Sequence, residues 1–152
     1  MRHFWLAAHI LGFVLWMGGG FSAMTVGIAM RSGPRTDLAA LIRVQGRLHR
    51  ALILPGAVMV VLSGLILTLE LYGSATSVNG FPKQLMLMQG AGLVAAALVL
   101  VVNVPTVARI GRLDHMGEHG PLVAALLKKA SLSGAITGIL GLTALIAGAL
   151  LR

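Results

Sequence analysis

His3 to Phe21 reads HFWLAAHILGFVLWMGGGF. It begins an apolar run far too long to be the core of a cleavable leader. Gly18-Gly19-Gly20 is followed by more apolar sequence rather than by a mature domain, so the stretch reads as a first membrane helix. At about 100° per residue, Trp5, His9, Gly12, Phe13, Trp16, Gly20, Ala23 and Gly27 share one face. That face mixes an imidazole, large aromatics and small residues, while Leu, Val, Ile and Ala dominate the other side. An ionisable group inside such a helix faces the bundle interior and marks a site by default.

Working outward, the same pattern recurs three times. The expected helices span about 4–30, 51–72, 84–108 and 121–151, each close to the ~20 residues that cross a ~30 Å hydrocarbon core. RSGPRTD stops the first, with Thr36 or Asp37 placed to cap the next helical segment. In DLAALIRVQGRLHR, Leu38, Leu41, Ile42 and Val44 oppose Arg43, Arg47 and Arg50, the pattern of a short interfacial helix leading into helix two. Pro55 falls in the first turns of helix two, and Pro105 is expected to bend the end of helix three. The expected fold is a single all-α domain, a polytopic four-helix transmembrane bundle.

Composition supports this class. Of 152 residues, 57% are hydrophobic and 11% charged, with a mean hydropathy of +0.92. A soluble domain of this size could not bury that much apolar surface. The net charge of +8 lies in the loops, which points to membrane topology and anionic headgroups, with no nucleic-acid partner. The absence of cysteine excludes disulfides, thiolate metal sites and iron–sulfur clusters. Arg31, Arg35, Arg43, Arg47 and Arg50 fill one loop, and Arg109, Arg112, Lys128 and Lys129 flank another. By the positive-inside rule both basic loops are cytoplasmic, with both termini on the periplasmic side of a bacterial-type inner membrane.

Two groups of site residues emerge. Towards the termini, His9 lies roughly 7–8 Å inside helix one at ~1.5 Å per residue. Glu70 and Tyr72 end helix two, and Lys83, Gln84 and Gln89 begin helix three at the same level. Trp16 lies on the His9 face. Helix two carries a seven-residue stripe of His49, Gly56, Ser63 and Glu70, and helix three one of Gln89, Ala96 and Asn103. These stripes are expected to face each other. They offer either a cofactor or substrate pocket with His9 as metal or haem-iron ligand or proton carrier, or interhelical hydrogen bonds from His9 to Ser63, Glu70 or Gln89. At the basic end, His49 in RLHR, beside Arg47 and Arg50, reads first as solvated or headgroup-facing; the alternative is a further haem ligand, or with Arg50 a cradle for a propionate or phospholipid. His9 and His49 sit at opposite ends of their helices and cannot share one iron. LDHMGEHG places His115 and His119 near Asp114 and Glu118, a loose arrangement that reads first as a solvated loop. Methionine and histidine also suit Cu(I). Gly134, Gly138, Gly141 and Gly148 share one side of helix four, suited to close helix packing or to a homodimer interface.

The order His9, Trp16-x-Gly18, RLHRALILPGAVMVVLSGLIL, PKQLMLMQG and RIGRL resembles a loose superfamily of small membrane proteins. It includes the HemJ-type protoporphyrinogen IX oxidases and the CopD-type copper-resistance domains, and the resemblance covers about Phe4 to Leu113. It implies that His9 ligates haem b, that Pro55 matches the helix-two proline, and that Lys83 or Gln84 takes the place of a helix-three lysine. Where that family has a histidine late in helix three, this chain has Asn103. Three function classes compete. One is a haem b oxidoreductase acting on a porphyrin or quinone. The second is a copper or small-solute transport subunit, with a path past His9 and Glu70. The third is a membrane assembly subunit without chemistry. A Soret band separates the first from the others.

Overall fold

A computed structural model describes residues 1–73, 81–113 and 119–151. Four long helices account for nearly all of them, and no strand occurs among the described residues. They are α1 (Arg2–Ser32), α2 (Leu38–Tyr72), α3 (Lys83–Ile110) and α4 (Gly120–Ala149). Each is long and apolar enough to cross a membrane.

The bundle is built from two tight antiparallel pairs, α1 with α2 and α3 with α4. Glycine decides the first pair. A Cβ on Gly56 would lie 2.6 Å from the Trp16 amide nitrogen and 2.8 Å from the Gly12 carbonyl. A Cβ on Gly12 would meet Met59 and Val60 at 3.0 Å, and one on Gly19 would meet Leu52 and Ile53 at 2.9 Å. The backbones therefore touch, the geometry that small residues permit where lipid offers no hydrophobic drive for association. Small residues also fill the centre: Ala57, Ala95 and Ala96 pack with Trp16, Ile53 and Val99.

The amphipathic segment before helix two is helical, as expected, but Leu38–Leu48 runs without a break into the rest of α2. The resulting helix of 35 residues is about 50 Å long, well beyond a ~30 Å core. Its apolar side is covered in part. Ile42 packs against Ile110 of α3 and Val123 of α4, with Leu38, Leu126 and Leu127 around them, while Val44 stays 41% exposed.

Pro55 and Pro105 widen their helices in the same way. Around Pro55, residues His49–Ile53 form a π turn in which the Leu54 amide donates to the His49 carbonyl. Around Pro105, Val99–Asn103 form another, with the Val104 amide donating to the Val99 carbonyl. Proline has no amide to give, and its ring crowds the carbonyl one turn back; widening the turn relieves both.

Candidate functional site

The two tight pairs leave a gap. Between α1 and α4, in the half of the bundle nearest the arginine-rich loops, lies a cleft of about 460 Å³, within the usual range for small-molecule sites. Both π turns face it, through His49 and Ile53 of α2 and Val99 and Asn103 of α3. Gly20 and Gly27 of α1 and Gly134 and Gly138 of α4 line its sides. At all four, nothing lies within 4 Å of where a Cβ would sit. Arg31 stands at the basic end of the cleft, exposed.

His49 is the centre of this site. Its side chain is only 6% exposed. The Nδ1–H donates to the Gln45 carbonyl at 3.0 Å. A carbonyl can only accept, so in the neutral ring the lone pair is on Nε2, which has no partner among the described residues. An imidazole held through one nitrogen by a backbone carbonyl, with the other bare, is the arrangement found in metal-ligating histidines. Around it the polar groups are incompletely satisfied. Gln45 Oε1 and Thr137 Oγ1, both on the cleft, are buried without a hydrogen-bond partner among the described residues. Asn103 is satisfied on one side, accepting from the Ser133 hydroxyl of α4. Buried polar atoms without partners are rare in folded proteins and cost about 1–3 kcal/mol each. Among the described residues, no three of His, Asp and Glu come together as a metal-binding group, and His49 is the one imidazole among the cleft-lining residues, which include no carboxylate.

The terminal end is arranged differently. The His9 Nδ1–H donates to the Val60 carbonyl at 3.0 Å and approaches Ser63 Oγ at 3.1 Å. Ser63 in turn donates to the Met59 carbonyl at 2.5 Å. Gly64 lies under the ring: a Cβ there would be 3.1 Å from Cε1. One level further out, Gln89 Nε2 donates to Thr68 Oγ1 at 2.6 Å, and Thr68 donates to the Gly64 carbonyl at 2.8 Å. Glu70 and Lys83 are exposed.

The expected stripes are buried in part, His49, Gly56 and Ser63 along α2 and Ala96 and Asn103 along α3. His49 and Asn103 line one cleft, while the direct hydrogen bonds of the stripe residues go to other groups. Ser63 meets His9 of α1, Gln89 meets Thr68, and Asn103 meets Ser133. Of the expected terminal cluster, His9 and Gln89 are placed by separate hydrogen bonds, Trp16 is buried on the cleft, and Glu70 and Lys83 face outward. None of His9, Glu70, Lys83 and Gln89 lines the cleft. Arg50 is exposed, its Nε donating to the Gly46 carbonyl at 3.3 Å. The glycine face of α4 divides: Gly141 receives the Met17 thioether and Gly148 that of Met88, while Gly134, exposed, and Gly138 line the cleft. His119 is exposed just before α4, and Asp114, His115 and Glu118 lie outside the described residues.

Sequence reasoning does not reach Gln45, Thr137 and Arg31 as site residues. A lone Thr or Gln in an apolar helix carries no signal by itself; the two prolines fifty residues apart are the available clue.

Comparison with known protein families, curated sequences and solved structures finds no match to this chain.

A haem can be tested against each histidine by its surroundings. At His9, half-buried, the Nδ1 side of the ring is taken up by Val60 and Ser63 with Gly64 beneath it, and His9 is not among the residues that line the cleft. At His49 the donor set fits: a bare imidazole nitrogen, apolar walls opened by glycine, and a cation at the basic end.

Proposed function

We propose that this protein is an integral membrane haem b protein, and that His49 rather than His9 is its protein ligand to iron. The reading rests on one observation: an imidazole fixed through Nδ1, with an unpartnered Nε2, on the wall of the bundle's large cleft. His49 would hold the iron through Nε2. Arg31 would meet a propionate, and the glycine-lined walls would receive the flat macrocycle. Haem b supplies one-electron redox chemistry when bound. What the chain itself contributes is position and dielectric: Gln45 orients the imidazole, and Trp16, Ile53 and Val99 keep water from the ring. The resemblance to HemJ-type oxidases supports a role in porphyrinogen oxidation, with quinone as an alternative redox partner. The basic loops are assigned to the cytoplasmic side of a bacterial-type inner membrane, so the cleft lies in the inner leaflet half.

The test is the visible spectrum of the detergent-purified protein, oxidised and reduced, made with haem supplied. A Soret band that survives His9→Ala and is lost in His49→Ala supports the assignment. A band lost only in His9→Ala moves the iron to the other histidine. A colourless protein removes the reading.

One observation favours copper as a second reading. Met17, Met24 and Met30 of α1 line the same cleft as His49, and thioethers with imidazole suit Cu(I). Titration of the colourless protein with Cu(I) against a chromogenic chelator tests it: one equivalent withheld from the chelator supports copper, and none excludes it.

A further inference from the structure

The cleft's openings are unequal. Towards the basic loops it is capped by Ile42 and Ile110, which pack with Val123 and are each 3% exposed or less. Towards the termini it is stopped by Trp16 and by Met17, whose sulfur would sit 2.8 Å from a Cβ on Gly141. Sideways, α1 and α4 do not close. Gly20, Gly27, Gly134 and Gly138 leave open space along that side. The rim carries Phe21, Met24 and Ile28 on one helix and Ile139 and Leu142 on the other, all large, apolar and exposed. Water-soluble compounds are therefore excluded from the direct route, and a molecule already dissolved in the bilayer is not.

The charge at the basic end narrows the class. Arg31 lies on the cleft itself, and Arg43, Arg47, Arg50 and Lys128 stand at the same end. Asp37 is the sole carboxylate side chain at that end among the described residues. An anionic headgroup meets this collar; a zwitterionic one gains less.

We infer that the cleft is a lateral portal whose resident guest is an acyl chain of an anionic phospholipid, with its headgroup on Arg31. The chain lies between the glycines of α1 and α4 and reaches Trp16. A haem or other amphiphile arriving through the bilayer displaces it. The inference rests on the cleft proposed above as the cofactor site, but not on which cofactor that is.

Trp16 is the reporter. The chain has two tryptophans, and Trp5→Phe leaves Trp16 alone. The protein is reconstituted without haem in vesicles of phosphatidylglycerol or phosphatidylcholine with brominated acyl chains, which quench tryptophan on contact. Trp16, though 3% exposed, is expected to be quenched, and more strongly by the anionic lipid. Gly20→Leu with Gly134→Leu fills the slot, because the side chain added on α1 leans back over Trp16, one turn earlier. Quenching should then fall at least about twofold. Arg31→Gln should make the two lipids equivalent while keeping the quenching. No quenching of Trp16, or quenching unchanged by filling the slot, overturns the portal. Quenching removed by filling but indifferent to headgroup in the parent protein overturns the anionic assignment. The haem reading is scored separately, by the Soret band: loss of either result leaves the other standing.

Discussion

At His9 the Nδ1–H goes to the Val60 carbonyl and Ser63 stands beside it; at His49 the Nδ1–H goes to the Gln45 carbonyl. The anchoring is the same and the surroundings are opposite. Around His9, Gly64, Gly56 and Gly12 let α1 and α2 close until nothing is left between them. Around His49, Gly20, Gly27, Gly134 and Gly138 meet no opposing atom. Glycine thus does two jobs in one bundle. Where two glycine faces oppose each other they remove space, and where they border a gap they create it. The first histidine is interhelical structure. The second lines an open cleft.

The largest effect that would break this contrast is spectroscopic. His49→Ala should abolish the haem spectrum, whereas His9→Ala should keep it and lower stability by about 1 kcal/mol, the scale of an intramembrane hydrogen bond. Equal loss in both variants would mean that the two sites are not separate. Next comes packing. Gly56→Val places a Cβ against the backbone of Trp16 and Gly12, and should cost about 3 kcal/mol or more. Gly134→Ala, which enters open space, should leave the thermal midpoint nearly unmoved, a change of about 0.5 kcal/mol or less. Comparable losses would show that the slot is packed. A smaller test concerns the unequal polar groups. Asn103→Ala, which removes the interhelical acceptor of Ser133 and leaves its hydroxyl only the Ala130 carbonyl at 3.3 Å, should destabilise by about 1 kcal/mol, whereas Thr137→Val removes a partnerless hydroxyl and should stabilise by a similar amount. Denaturation in mixed micelles reads both signs. Smallest is Gly64→Ala. Its methyl would sit 3.1 Å from the His9 ring, so the ring must give by a few tenths of an ångström. A shift of the His9 imidazole resonances with little change in midpoint is expected, and an unmoved resonance would show that the ring is not held there.

The four spans are legible in the sequence because about twenty consecutive apolar residues have few other solutions in water or lipid. Burial along α2 is also legible, since His49, Gly56 and Ser63 recur every seven residues. What those residues meet is not. The faces of α2 and α3 are set by how far each helix turns about its axis when Gly56 seats on Gly12, and no local pattern encodes that rotation. The open cleft is hidden for a different reason. It is made of what Gly20, Gly27, Gly134 and Gly138 omit, and the same glycines read equally well as packing residues or as a dimer face. The continuity of α2 through Leu48 is obscured by an amphipathic stripe that suits lipid and protein alike; only the reach of α3 and α4 to Ile42 distinguishes them.

The π turn at His49–Ile53 amounts to one residue more than an α-helix would need for the same rise. Deleting Ala51 would let the turn close to ordinary α geometry. Everything before it would keep nearly the same angle and rise relative to Gly56, because the wide turn stores its surplus residue locally. His49 would stay on the cleft side and Ile42 in its seam with Ile110. Forced into ordinary α geometry without that deletion, the same surplus residue would turn everything before it by about 100° and carry His49 off the cleft. The address of the imidazole thus depends on where the chain keeps one residue too many.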